Sequence, residues 1–300
     1  MAADHIGKNR IIAFQWQGAA DRRLAMQDCF AGPENGNGGL YMISLDSPIW
    51  KELGSAGSDT DEILRDLMEG KGDFRENMEE LSWDLSHQAS YYDMTAYALP
   101  HLAVLCARLS PEDKAFLIKE IGLAIAAEGA WPLEPDTEAF REFQEGLRGL
   151  RREAEELVVN PDIAAILGND PTGERREVFA LSALAVLGNR MHAYGMWNVF
   201  SSDWDECIGA CLCGWEEGVI SFRTDKDYFC MEPVSIVPWD DKSIEDEPVW
   251  FQGLLHRIGN EEAIRFLPFV YGTCVCPACG KRAAYWDWLA KFIGYGWCGG

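Results

Sequence analysis

Two closely spaced pairs of cysteines constrain the fold of this chain more than any other sequence feature. They are Cys211-Leu-Cys213-Gly and Cys276-Pro-Ala-Cys279-Gly. The glycine after each second sulfur allows a tight turn that points backbone amides at a thiolate. Four thiolates are a complete ligand set for a structural zinc ion. The sequence therefore predicts one structural Zn bound by Cys211, Cys213, Cys276 and Cys279.

The two pairs are not equivalent. The form Cys-Pro-x-Cys-Gly is that of a zinc knuckle, in which proline sets the approach of the chain and glycine accepts a positive φ. The first pair has one intervening residue instead of two, so Cys213 is a safer ligand than Cys211. Possible replacements for Cys211 are Cys207, Cys230 and Cys274. Other interpretations are buried apolar thiols, a catalytic thiol or a disulfide.

Composition favours a soluble protein of the cytoplasm. With 300 residues and 48% hydrophobic content, the chain can bury one large core or two modest ones. The first ten residues include Asp4 and lack the apolar run of a signal peptide, and no later run reaches the roughly 18 apolar residues of a membrane span. Ten cysteines without an export signal are typical of reduced thiols and metal ligands.

The charge is strongly and unevenly negative. The chain carries 49 acidic and 26 basic residues, a net charge of −23. Residues 203–247 contain thirteen acidic and three basic residues, and residues 59–84 contain ten and three. Such a surface repels nucleic acid and anionic membranes, so neither is expected as a partner. The acidic segments are either solvated faces that maintain solubility or a docking surface for a basic partner.

Hydrophobic periodicity predicts a helical region over residues 59–200, after an irregular section over 1–58. The predicted helices are 59–69, 73–87, 92–109, 111–128, 136–158, 161–167 and 171–188. Three helix starts carry a capping residue before proline, at Ser110-Pro111, Asn160-Pro161 and Asp170-Pro171. Short loops imply antiparallel helix pairs, which stack into an α-solenoid or form an irregular bundle.

One segment resembles a family. The residues are His87-Gln88-Ala89-Ser90-Tyr91-Tyr92, then Thr95, Ala98-Leu99-Pro100 and Leu102. This pattern is similar to a segment of bacterial HEAT-like helical repeat proteins of unassigned function, over roughly residues 48–190. The resemblance implies a mainly α, HEAT-like architecture with a proline-kinked helix at Pro100. It implies no catalytic residue.

The last third, residues 201–300, is predicted to be an acidic, Cys- and Trp-rich lobe packed on the helices. Runs of β-branched, aromatic and cysteine residues over 207–222 and 228–237 predict one or two hairpins, the first turning at Cys213-Gly214. Helices are predicted over 248–258, 261–269 and 285–292, with Gly259-Asn260 ending one helix and starting the next. The expected fold is thus mainly α with a small zinc-stapled β-hairpin element.

Two classes of function follow. We expect a non-enzymatic protein–protein interaction scaffold, in its sharper form an immunity or antitoxin-type protein that neutralises a basic toxin, because carboxylates then stand where the toxin expects phosphates. The alternative is a zinc-dependent, hydrolase-like enzyme with an open metal position near Cys207–Cys213. The histidines are isolated, and neither Gly-x-Ser-x-Gly nor His-Glu-x-x-His occurs in the sequence.

Overall fold

The protein is mainly helical. The computed structural model describes residues 42–86, 92–127, 133–134, 137–170, 174–200, 206–209, 218–222, 229–232, 236–239, 246–276 and 278–293, all within one compact unit. A short 3-10 helix at Pro48–Lys51 precedes eleven described helices. These are α1 Thr60–Glu69, α2 Phe74–Leu85, α3 Asp93–Cys106, α4 Pro111–Ala126, α5 Glu138–Val158, α6 Ile163–Ile166, α7 Glu174–Val186, α8 Arg190–Phe200, α9 Asp246–Ile258, α10 Glu261–Val270 and α11 Tyr285–Ile293.

The described strands form two small antiparallel sheets in the last third of the chain. The first sheet has the order β1-β2-β3, with strands Glu206–Gly209, Gly218–Phe222 and Phe229–Glu232. The second joins β4 Thr273–Val275 to β5 Arg282–Ala284, and an isolated bridge pairs Val237 with Thr273. The predicted hairpin over 207–222 is confirmed by the pairing of β1 with β2.

Several predicted helix boundaries are confirmed by their caps. The Ser110 hydroxyl accepts a hydrogen bond from the backbone N–H of Asp113, and Pro111 opens α4. Gly259 has φ +73° after α9, and the Asn260 side chain caps α10 by accepting from the Ala263 N–H. The start at Pro161 is wrong by two residues, since Asn160 instead caps a turn at the Asp162 N–H and α6 begins at Ile163.

The core is centred on α4, which packs on α7 and also contacts α2, α3, α5, α6 and α8. Glycines permit two close helix approaches in this core, between α4 and α7 and between α5 and α3. A Cβ on Gly122 of α4 would overlap the Cα and Cβ of Ser182 on α7, and a Cβ on Gly146 of α5 would lie 2.8 Å from the Pro100 Cα of α3. The proline of the family-like segment therefore lies where α5 crosses α3 at close range. Because the crossings need bare backbone, their spacing is fixed by these glycines.

Three arginine side chains link one helix to the C-terminal end of another by hydrogen bonds. Each guanidinium donates to carbonyl oxygens at the C-terminal end of another helix, where carbonyls have no partner within the helix and the dipole is negative. The pairs are Arg190 with Ile125 and Ala127 after α4, Arg257 with Val158 of α5, and Arg176 with Ile258 of α9. The second and third pairs fasten α9 to the helices of the first two thirds of the chain.

A buried histidine holds the segment before the first helices. His101 on α3 is 3% exposed, its Nε2 donates to the Ile43 carbonyl oxygen at 3.0 Å, and its ring contacts Trp50 at a centroid distance of 5.6 Å. Glu142 on α5, also buried, hydrogen-bonds the backbone of the same Ile43. Burial lowers the pKa of His101, and burial, with the nearby Glu138 charge, raises the pKa of Glu142.

His101 is expected to make the protein less stable at mildly acidic pH. Its folded pKa lies below its ordinary value of 6.5, so the unfolded chain binds the proton first. The free energy of unfolding should therefore fall as pH drops below about 6.5 and stop falling below the folded pKa. His101→Gln keeps a donor for Ile43 but cannot titrate, and should remove this slope in denaturant titrations between about pH 7 and 5. Equal slopes in the parent protein and in His101→Gln would contradict the assignment.

One described helix was not predicted from sequence. Arg190–Phe200 follows a predicted end at residue 188, but the chain restarts as α8 after Gly188 at φ +109°. No described helix is both long and apolar enough to cross a membrane. The predicted boundaries at 58 and 200 stay predictions.

Candidate metal centre

The second cysteine pair occupies the turn of a β-hairpin. Strands β4 and β5 pair in the register Thr273↔Ala284, Cys274↔Ala283 and Val275↔Arg282. Beyond the last pair, the Cys276 N–H donates to the Lys281 carbonyl oxygen at 2.9 Å, and the Gly280 N–H donates to the Cys276 carbonyl oxygen at 2.8 Å. The chain thus reverses direction between Cys276 and Lys281, with both cysteines on the turn.

The glycine after the pair has the conformation predicted for it. Gly280 has φ +71°, which a residue with a side chain rarely adopts. The Cys276 residue is fully buried, whereas Cys279 is exposed. The turn therefore has one cysteine inside the lobe and one at its surface. Two cysteines on one turn are the ligand type that a zinc knuckle uses, and they stay the predicted half of a zinc site.

The first cysteine pair lies outside the described residues. Its neighbours are described: β1 ends at Gly209 opposite Gly218 of β2, so residues 210–217, which include Cys211 and Cys213, connect two paired strands. Strand β1 also lies against α11, the helix that begins directly after β5. The first sheet therefore contacts the helix that follows the β4–β5 hairpin.

The alternative ligands differ in their surroundings. Cys207 pairs in register with Ile220, and Cys230 with Ser221, within the first sheet. Cys274 is fully buried in β4, and burial raises the pKa of its thiol to about 12. Burial raises the pKa of Cys106 on α3 to about 12 as well. Cys274 and Cys106 thus share an apolar environment. Cys207, Cys230 and Cys274 stay the alternatives to Cys211.

A complete zinc site needs ligands in addition to the cysteines that the structure describes. Within the described ranges, no group of three or more His, Cys, Asp or Glu residues is arranged to hold a metal ion. Cys276 and Cys279 supply two sulfurs, so a four-sulfur site requires two more from the rest of the chain. Cys211 and Cys213 stay the predicted pair.

An aromatic cluster at the open end of the β4–β5 hairpin, away from the turn, was not predicted from sequence. The His192 ring of α8 stacks on Trp286 of α11 at a centroid distance of 4.4 Å, and Tyr271 contacts both rings edge-on, at 5.6 and 5.5 Å. Gly195 makes room for the indole, since a Cβ there would lie 2.6 Å from Trp286 Cζ3. The cluster fixes α11, and with it the end of β5, against α8. The only sequence signal was a glycine inside an aromatic helix.

Comparisons with protein-family models, with curated proteins and with solved structures found no match. The resemblance to HEAT-like repeat proteins therefore depends on the quoted residues alone. Of these, residues 87–91 lie outside the described residues, while Thr95 and Pro100 lie in α3.

Proposed function

We propose that this protein is a non-enzymatic protein–protein interaction scaffold whose partner is basic. In this proposal the helices form a HEAT-like solenoid or an irregular bundle whose outer faces bind the partner protein. A zinc ion bound by Cys211, Cys213, Cys276 and Cys279 staples the C-terminal lobe and takes no part in chemistry. The sharper form is an immunity or antitoxin-type protein that covers the cationic surface of a toxin.

The observation that carries the proposal is the concentration of exposed carboxylates. Of the ten acidic residues between positions 59 and 84, seven are exposed on or beside α1 and α2: Asp59, Glu62, Glu69, Asp73, Glu76, Glu79 and Glu80. The chain as a whole carries −23. Repulsion among these carboxylates opposes compact folding. Solubility does not require so high a charge, whereas binding a basic partner would make use of it.

The charge also defines the partner. A basic protein is drawn to such a surface over a distance set by ionic strength, about 30 Å at 0.01 M salt and about 10 Å at 0.1 M. This attraction raises the association rate and disfavours acidic partners. A toxin that binds nucleic acid is cationic where it meets phosphate, so carboxylates compete for the same surface.

Capture from the native host at low salt tests the proposal. We expect the full chain to retain a basic protein at about 0.05 M salt and to release it by about 0.5 M. For the immunity form, co-expression of the captured protein with this chain should relieve growth inhibition. Retention of neutral or acidic proteins only, or retention that is equal at both salt concentrations, would contradict the proposal.

The number of protein ligands on the metal distinguishes the enzyme alternative from the scaffold. A structural zinc is closed by four protein ligands, whereas a hydrolytic zinc keeps a position for water. The hairpin turn of Cys276 and Cys279 would supply two sulfurs to either form, so the remaining ligands decide between them. Residues 210–213 lie outside the described residues, so the metal's coordination has to be measured to choose between the two forms.

A further inference from the structure

One face of α2 combines carboxylates with an exposed tryptophan. Glu76, Glu79, Glu80 and Trp83 follow the spacing i, i+3, i+4, i+7, which places them on one face of the helix, here called the acidic–Trp stripe. The opposite face is buried through Met78, Leu81 and Leu85. The stripe therefore points away from the core along about two turns of helix.

The exposure of Trp83 sets it apart from the tryptophans of the core. It is 60% exposed, whereas Trp50, Trp286 and Trp288 are at most 5% exposed. An indole is the side chain that most often anchors protein interfaces, because it buries a large area and loses little conformational freedom. It is also the best ring for a cation–π contact with arginine.

The three carboxylates of the stripe are not neutralised within the described structure. Among the described residues, every ion pair of this region goes elsewhere: Arg75 pairs with Asp113 and lies over the Phe116 ring of α4, and Lys71 pairs with Glu69. Like charges at i, i+3 and i, i+4 destabilise a helix. The stripe thus keeps a repulsion that a cationic partner relieves.

We propose that the acidic–Trp stripe is the docking surface for a basic helical segment of the partner protein, which buries the exposed part of Trp83 and places its arginines opposite the three carboxylates. This inference rests on the proposed function and assigns it a site. A second copy of this chain does not fit, because it brings the same negative charge. Neither does a metal ion, since these carboxylates are not arranged to hold one.

The test uses the full chain and a labelled helical peptide of roughly 18 residues, alanine-based with arginines at i, i+3, i+4 and i+7. Its affinity is measured by fluorescence anisotropy. We expect Glu76→Gln/Glu79→Gln/Glu80→Gln to weaken binding about tenfold and Trp83→Ala about fivefold. The matched controls are Glu138→Gln/Glu155→Gln/Glu156→Gln, three exposed carboxylates of α5, and Val159→Ala, an exposed apolar residue. Both controls should change affinity less than twofold, and all variants should melt like the parent protein.

The outcomes separate the inference from the function on which it rests. Equal weakening by the two triple variants, or no effect of Trp83→Ala, would overturn the stripe and leave a diffuse acidic surface, so the proposed function stands. Failure of the parent protein to bind the arginine peptide more tightly than a glutamate counterpart at low salt would overturn both.

Discussion

Gly122→Ala should destabilise the protein by about 3 kcal/mol or more, although alanine is the better helix former. The added methyl group would overlap Ser182 Cα and Cβ and lie 2.7 Å from the Ser182 carbonyl oxygen, so the clash is with backbone that cannot rotate away. Helices α4 and α7 must separate, which also breaks the hydrogen bond from the Ser182 hydroxyl to the Lys119 carbonyl oxygen. Denaturant unfolding measures the change.

The matched control is Gly253→Ala in α9. A Cβ there meets only Arg257 Nη1, at 3.6 Å, which is ordinary contact with the end of a flexible side chain. This variant should gain about 0.5–1 kcal/mol from helix propensity. If both substitutions stabilise, the close crossing of α4 and α7 is wrong.

Cys276→Ser should cost about 3 kcal/mol or more in zinc-containing buffer, because removing one thiolate weakens the clip that closes the C-terminal lobe. Thermal melts with and without a chelator measure it. The parent protein should lose stability when chelator is added, and the variant should already melt low and respond little.

Cys106→Ser is the control for burying a serine hydroxyl. Both cysteines are fully buried, so each substitution carries a similar cost of about 1–3 kcal/mol from an ill-matched polar group. Cys106→Ser should keep the full response to chelator. If the two variants respond alike, Cys276 is a packed thiol and binds no metal.

Local rules predicted most of the helices in the described part of the chain. Ser110, Gly259 and Asn260 act where their chemistry predicts, because a cap depends on only a few neighbouring residues. Helix α8 was missed because its apolar and aromatic residues form no clear stripe. Its packing on α7 and α11 is tertiary, and short helices depend on such packing.

Only the features of the candidate metal centre that depend on neighbouring residues could be predicted from the sequence. The positive φ of Gly280 follows from the motif, whereas the burial of Cys274 depends on how β4 packs. The exposed face of α2 could not be predicted from the sequence for a related reason. Composition showed an acidic segment, but only the fold separates Asp61 and Asp84, which are buried, from the carboxylates beside Trp83. Contacts between distant residues, such as Ile43 with His101, have no local signature.

X-ray absorption on protein purified without added metal, combined with elemental analysis, tests the account most directly. The scaffold account predicts about one zinc per chain with four sulfur neighbours at about 2.3 Å. Three sulfurs or fewer with a nitrogen or oxygen neighbour would favour the enzyme alternative. Protein that is folded and contains no zinc or other thiophilic metal would contradict the account.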